Sequence, residues 1–372
     1  MKSSTNKNVS VIGVGRLGLC FCLFLEKAGY NVLGVDRSQD YVTSLNNKSF
    51  STPEESVDDL LRGSENFRAT TSLDEAIKHS DIIFLLVATP SLENGRYDHS
   101  QVDSVMRSIQ SLGVQPNKKH IVVSCTTMPG YCDTLVEKAE SLNYTLSYNP
   151  EFIAQGTIFR DQLSPEFVLI GEGSKKIGDI LEEIYMKATN SNPKICRMKR
   201  MEAEITKIAY NCFLTSKISF ANMVGDIAIT SGLSPTPILE AIGSSDKVGH
   251  KYLGYGYGYG GPCFPRDNRA LAIHAKDVGY DALLSYATDD INKNHLHFQV
   301  NNFLNTNSDE VVVLDTVTYK PGTDILEESQ QLAFAVAVAK AGRKVRIVEA
   351  RSVIEVLQKK HGDLFEYVIK PT

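Results

Sequence analysis

Tryptophan is absent from this 372-residue chain, and no stretch reaches the roughly 18 to 20 uninterrupted apolar residues that a bilayer-spanning helix needs. The run Leu17 to Leu25 comes nearest, but it ends in Glu26-Lys27 without a small-residue cleavage site. It therefore reads as a buried helix and not as a secretory leader. None of the seven cysteines (Cys20, Cys22, Cys125, Cys132, Cys196, Cys212, Cys263) forms a C-x-x-C pair, which argues against a zinc ribbon or a thioredoxin-like centre. Their odd, scattered set suits a reducing, cytoplasmic setting. Charge is equally restrained. A net charge of -5 supplies no broad basic field for nucleic acid or an anionic membrane, so neither is expected as a partner.

What remains is a globular composition, 42% hydrophobic and 22% charged, in a chain long enough for two or three domains. Val9 to Val14 reads as a short buried strand, Gly15 to Ala28 as a helix, and Val32 to Val35 as a second strand ending at Asp36. Strand-like runs recur at Ile82 to Val87, Ile121 to Ser124 and Val168 to Ile170, between helical patterns at Leu73 to Lys78 and Gln101 to Leu112. This alternation predicts an α/β fold, a mostly parallel sheet covered by helices on both faces. Past the polar stretch Thr189 to Pro193 the pattern changes. Glu202 to Thr230 lacks proline and predicts one long helix, stopped by Gly232 and Pro235. A second βα set runs from Val311 to Leu314 through Gln330 to Ala341 to Val345 to Val348. Three domains are expected: 1–195 of Rossmann type for a dinucleotide, 196–295 a central helical part, and 296–372 a smaller α/β unit of about three strands.

Three local patterns carry chemistry. Gly13-Val14-Gly15-Arg16-Leu17-Gly18 lies between a strand and a helix, with Asp36 at the end of the next strand. This is a dinucleotide fingerprint: the glycines allow the turn and close phosphate approach, and the helix N-terminus offers free N–H groups. Asp36 favours NAD over NADP, although Arg37 beside it is of a kind that accommodates a 2'-phosphate. Lys207 and Asn211 lie four apart on one face of the long helix, able to donate together to an oxygen that gains negative charge. That spacing also fits a solvated helix face. Cys263 follows the run Gly254-Tyr255-Gly256-Tyr257-Gly258-Tyr259-Gly260-Gly261. Alone it would be a small core residue, but its setting predicts a tight loop that exposes the sulfur, with Arg266 near enough to favour the thiolate.

The segments Asn149-Pro150-Glu151-Phe152, Glu202 to Asn211, Gly258 to Asp267 and Lys320-Pro321-Gly322-Thr323-Asp324, together with the fingerprint, resemble the ordered signatures of the UDP-glucose/GDP-mannose dehydrogenase family. The Cys-Phe-Pro-Arg-Asp form resembles the branch that oxidises UDP-glucose. This resemblance implies a four-electron, NAD-dependent oxidation of the sugar C6 alcohol to a carboxylate, with Cys263 as nucleophile. It assigns Lys207 and Asn211 to oxyanions, and Asp267, Glu151 and Thr127 to protons and water. Thr89, Thr127, Gln155 and Arg266 join the fingerprint on the cofactor side. Phe152, Ile153, Tyr252, Leu253, Gly256 and Gly260 shape the sugar pocket, and Lys320 holds the phosphates. A homodimer through the long helix is also implied, with Lys247 completing the partner's site.

Five positions depart from the family pattern. Tyr41 stands where a lysine is common, Gln155 for a glutamate, Lys247 for an arginine, Thr316 for a glycine, and Glu327 for the arginine of the Thr-Asp-x-x-Arg-Glu-Ser motif. Arg to Glu reverses charge. GDP-mannose and UDP-N-acetylhexosamine stay open as substrates. So do a single-step hydroxyacid or 6-phosphogluconate type of dehydrogenase, which needs no cysteine, and a non-catalytic nucleotide-sugar-binding protein.

Overall fold

In the computed structural model, residues 7–370 are described. They form two compact units divided after Lys207, and the boundary falls inside the helix Arg200–Thr230. The first unit therefore extends past residue 195, where the sequence pattern suggested a domain end, because an edge strand of polar and apolar residues, Lys194–Met198, still belongs to its sheet.

That sheet has eight strands: β1 Asn8–Ile12, β2 Asn31–Val35, β3 Phe67–Thr70, β4 Ile82–Leu85, β5 Lys119–Val123, β6 Tyr144–Tyr148, β7 Phe167–Gly171 and β8 Lys194–Met198. Their order is β3-β2-β1-β4-β5-β6-β7-β8, parallel except where β6 meets β7. Side chains alternate across a strand, so a sheet buried on both faces is apolar along its strands except where a polar side chain finds a partner. β4 shows this directly. Ile82 and Phe84 join the core that contains Phe21, Phe24 and Leu181, whereas Ile83 and Leu85 join the opposite core with Met106, Ile109 and Ala139.

The chain leaves β1 to form β2 on one side and later returns to form β4 on the other, which opens a crevice at the carboxyl ends of β1 and β4. Gly13 makes the turn there with φ of +94°, its N–H donating to Val35 O at 2.9 Å. The helix Arg16–Lys27 follows at once, with Gly15 as its N-cap. It lies so close that a Cβ on Gly18 would stand 1.9 Å from Gly13 O.

In the second unit, Arg200–Thr230 continues beyond the boundary and is followed by helices Pro235–Gly243, Phe264–Asp277 and Leu283–Thr306. A three-stranded parallel sheet, β9 Val311–Leu314, β10 Lys344–Glu349 and β11 Glu366–Ile369 in the order β11-β10-β9, has its own core around Val338, Ile347 and Leu357. Ser329 caps the helix Gln330–Lys340 by accepting from Leu332 N, a contact of a kind that contributes about 1 kcal/mol.

The contact at Gly18 makes a direct test. Gly18→Ala forces a methyl into a backbone carbonyl that cannot move aside, so the first unit should lose about 3 kcal/mol in urea unfolding, the upper end for overpacking. A loss under about 0.5 kcal/mol, the range of ordinary surface changes, would show that helix and strand are not pinned there.

Candidate active site

At the crevice, a cavity of about 420 Å³ is walled by Gly13, Gly15, Asp36 and Arg37 on one side and by Leu86 to Ala88 and Ser100, Gln101 and Ser104 on the other. A Cβ on Gly15 would meet nothing within 4 Å, so the backbone faces open space. The helix that begins here has neither a side-chain cap nor an acidic residue in its first turn, which leaves its positive end available to a phosphate. Room, bare backbone and a ribose-binding acid together fit a dinucleotide. Val14 packs against Gly34, and Leu17 against the neighbouring core.

Two of the departures gain local reasons. The Tyr41 hydroxyl donates to Val14 O at 2.8 Å, bracing the loop where a lysine would carry charge. Gln155 Oε1 accepts from Arg16 Nη1 at 3.2 Å. Buried Glu54, which sequence reasoning did not single out, accepts from Gly156 N at 2.9 Å and lies 3.9 Å from Arg16.

The segment after β5 is held by three side chains. Thr89 Oγ1 donates to Thr126 O at 2.7 Å, and Met128 N donates to His99 Nε2 at 3.2 Å. Glu204, wholly buried, accepts from Thr127 Oγ1 at 2.8 Å, Gly130 N at 2.7 Å and Cys132 N at 2.9 Å. Burial pushes the Glu204 carboxyl above the usual carboxylate range, and these donors oppose the rise. Thr127's proton is thus committed to Glu204, leaving its lone pairs for another donor. Glu204 lies three residues before Lys207 on the same helix. That spacing was the available signal, yet an acid beside a lysine also reads as an ordinary surface pair.

Asn149-Pro150-Glu151 follows β6. Lys207 Nζ donates to the Glu151 carbonyl at 2.7 Å and stands 4.2 Å from the Phe152 ring centroid, so the ammonium is fixed by a hydrogen bond and a cation–π contact. Burial raises the Glu151 carboxyl, against the opposing effects of Tyr185, Lys207 and Gln162. Ile153 packs on the core that contains Val9 and Val11, and Phe152 on the core of the opposite face.

In the second unit Cys263 is the N-cap residue of the helix Phe264–Asp277 and is half-buried. Cys22, Cys132 and Cys212 are buried and raised by desolvation, and burial pushes Cys20 up to about 12. These four are therefore poor nucleophiles. One turn into the Cys263 helix, buried Asp267 accepts from Asn211 Nδ2 at 2.6 Å and from Arg266 Nε at 3.3 Å. Arg266 is thus engaged by a carboxylate, not held solely for the thiol.

The glycine–tyrosine run is ordered. Gly256 O accepts from His295 Nε2 at 2.6 Å and from Gln299 Nε2 at 3.0 Å, and Gly256 N donates to Asn222 at 3.1 Å. Asn292 binds both N and O of Tyr259, at 2.9 and 3.0 Å. A Cβ on Gly260 would lie 2.3 Å from Glu328 O. Leu253 is buried and Tyr252 exposed, the latter with φ of +63°. Lys247 and Glu327 are exposed. The main chain of Lys320 is held by the hydroxyls of Thr318 and Thr323, and Thr316 binds Glu349 at 2.7 Å. Sequence reasoning passed over Asn222, Asn292 and His295, since isolated polar residues on helices carry no distinguishing pattern.

Residues 7–189 match the model of the UDP-glucose/GDP-mannose dehydrogenase family NAD-binding domain, and residues 201–294 match that of the family's central domain. A UDP-glucose 6-dehydrogenase of Haloferax volcanii is 30% identical over 353 residues, 91% of this chain and 82% of the relative. A GDP-mannose 6-dehydrogenase of Pseudomonas aeruginosa is 29% identical over 97% of this chain and 84% of its own. Among solved structures, a UDP-glucose dehydrogenase from Pyrobaculum islandicum superimposes with a TM-score of 0.88 at 27% identity, covering 99% of this chain and 87% of that one.

His99 yields a pH prediction. Burial lowers its pKa from 6.5 to about 4, against the opposing charges of Asp103 and Asp98, and its Nε2 must stay unprotonated to accept from Met128 N. As pH falls, the unfolded chain takes up this proton first. Stability is therefore intact above about 6.5 and is lost progressively towards about 4. The drop in urea-unfolding stability between about pH 7.5 and about pH 5, a span that brackets the ordinary His range, should be smaller in His99→Gln than in the wild type. Equal drops would count against a neutral, buried His99.

Proposed function

Because the chain belongs to the UDP-glucose/GDP-mannose dehydrogenase family of NAD-dependent nucleotide-sugar oxidoreductases, we propose that it oxidises UDP-glucose to UDP-glucuronate. The observation that carries this reading is Cys263: a half-buried thiol at a helix N-terminus, one turn before an Asp267 already oriented by Asn211. A nucleophilic thiol serves a reaction in which an aldehyde is carried on to an acid. The Cys-Phe-Pro-Arg-Asp sequence supports the UDP-glucose branch, and the GDP-mannose relative is the rival that substrate trials must exclude.

Gly13, Val14, Gly15, Arg16, Asp36 and Thr89 would hold NAD, which would supply the hydride acceptor for both oxidations. Between them, the Cys263 thiolate adds to C6 of the aldehyde to form a thiohemiacetal, and the second oxidation makes a thioester. Water then cleaves the C–S bond, releasing the carboxylate and restoring the thiol. Cys263 stands at the positive end of the helix Phe264–Asp277. Lys207, fixed against Glu151 O and Phe152, and Asn211 donate to the oxyanion at C6. Asp267 accepts protons, and Thr127, its own proton spent on Glu204, accepts from the attacking water.

Lys320, in the expected 296–372 domain, takes the nucleotide phosphates. Tyr252, Leu253, Gly256 and Gly260 border the sugar. The helix Arg200–Thr230 exposes Phe213, Phe220, Met223 and Ile227, an apolar stripe that supports a homodimer in which Lys247 reaches the partner. Seven cysteines without a disulfide support a cytosolic reaction. No helix among the described residues is long and apolar enough to cross a membrane.

Offered UDP-glucose, GDP-mannose and UDP-N-acetylglucosamine with NAD, the protein should yield two NADH per UDP-glucose and the acid as product. One NADH with free aldehyde or ketone would overturn the four-electron reading, and UDP-sugar binding without NADH would favour a sensor. Cys263→Ala should lose acid formation by several orders of magnitude while still binding UDP-glucose. Cys263→Ser should accumulate an ester adduct visible by mass spectrometry. Lys207→Ala should slow both oxidations by about 10² to 10³-fold, as expected for loss of one oxyanion donor. Sedimentation at micromolar concentration that showed a monomer alone would count against the dimer.

A further inference from the structure

Arg16 opens the helix Arg16–Lys27 directly after Gly15, with its side chain one-third exposed. It lines a second cavity, of about 350 Å³, that shares Gly15 with the dinucleotide crevice. Among the described residues that line it, Tyr41, Thr52 and Glu54 included, Arg16 is the one cation. Two side chains fix its direction. Nη1 donates to Gln155 Oε1 at 3.2 Å and lies 3.9 Å from Glu54 Oε1. Glu54 is buried and is itself held by the main chain, accepting from Gly156 N at 2.9 Å and Ile158 N at 3.4 Å, so its charge cannot turn away. Tyr41 brings no charge. Burial, and then the charge of Asp36, raise its hydroxyl, which stays protonated and donates to Val14 O at 2.8 Å.

Charge around the guanidinium is therefore matched, Arg16 against Glu54, with Tyr41 and Gln155 neutral. The family pattern has a lysine at position 41 and a glutamate at 155, one more charge of each sign and the same sum. Either change alone would break that match. A glutamate at 155 opposite Tyr41 would leave an unmatched negative charge next to the glycine where a pyrophosphate approaches the backbone, in a partly buried setting where like charges repel more strongly than in water. We propose that Tyr41 and Gln155 are one coupled replacement that sets dinucleotide affinity, Gln155 being a positioning residue that aims Arg16 at the pyrophosphate without cancelling its charge.

This coupling rests on the dinucleotide reading of the crevice and is independent of the sugar. An arginine pairs with two phosphate oxygens through a planar fork, so direction matters to it as well as charge. The glutamine at 155 supplies the acceptor oxygen that gives the direction. A carboxylate there would supply it too, but would draw the guanidinium into an ion pair with a second acid and oppose an incoming anion. Positions 41 and 155 are 114 residues apart, and only the fold brings both to one cation.

Calorimetric titration with NADH, in the absence of any sugar, tests this. Gln155→Glu should bind NADH about tenfold more weakly than the wild type, as expected for a like charge set beside the pyrophosphate. High salt should shrink that deficit, because a repulsion is screened and a distorted loop is not. In a Tyr41→Lys background the same substitution should weaken binding less than about threefold, the two sites being coupled through one charge match. Gln155→Leu, which removes the acceptor without adding charge, should lose less than Gln155→Glu. Arg16→Met should weaken binding about tenfold, as for loss of one charged hydrogen-bond donor. Equal effects of Gln155→Glu with and without Tyr41→Lys, a deficit unmoved by salt, a loss in Gln155→Leu as large as in Gln155→Glu, or undiminished binding in Arg16→Met would overturn the proposal. A wild type that binds no NADH would instead strike the dinucleotide reading itself.

Discussion

The turn at Gly13 is the constraint on which the first unit depends. A backbone at φ of +94° reverses the chain where β1 ends, and the helix that follows packs at a distance with no room for even a methyl on Gly18. β1 can then pair with β2 and β4 at once, which opens the crevice at their carboxyl ends. The same reversal brings a helix N-terminus to that crevice with no acidic side chain in its first turn. The geometry of the turn and the electrostatics of phosphate binding therefore share one origin.

Buried ionisable groups organise what surrounds this crevice. Glu204 draws two main-chain N–H groups and the Thr127 hydroxyl onto one carboxylate, and His99 accepts from the same segment. Each would leave buried donors unpaired if lost, a cost of about 1–3 kcal/mol per group. Their effect is to hold the loop after β5 in one conformation. In the second unit, Asn222, Asn292 and His295 do the same for a glycine-rich run whose own backbone would otherwise retain high entropy. Rigid loops before reactive groups follow from these polar contacts more than from apolar packing.

Much of this was legible in the residues. The first βαβ unit, the parallel sheet, the long helix and two of the three terminal strands, β9 and β10, were each predicted to within a few residues, because strongly periodic apolar runs have few other ways to bury themselves. The strands β3, β6 and β8 and the helices Phe264–Asp277 and Leu283–Thr306 were not. β6 reads Tyr-Thr-Leu-Ser-Tyr and is buried at every position, since Ser147 and Thr145 find partners in Gly173 N and His120. No local pattern distinguishes such a strand from a polar loop.

The sequence by itself determined the family, the dinucleotide fingerprint and the residue types able to do the chemistry, because these depend on short-range spacing and on functional groups present in the side chains. Tertiary structure alone decided how those groups are paired. Gln155 meets Arg16, Asp267 meets Asn211, Thr127 meets Glu204, and Glu151 meets Tyr185. Partners separated by 34 to 139 residues become neighbours only through strand order and helix packing. Whether a buried acid keeps or loses its proton depends on those neighbours, not on its identity.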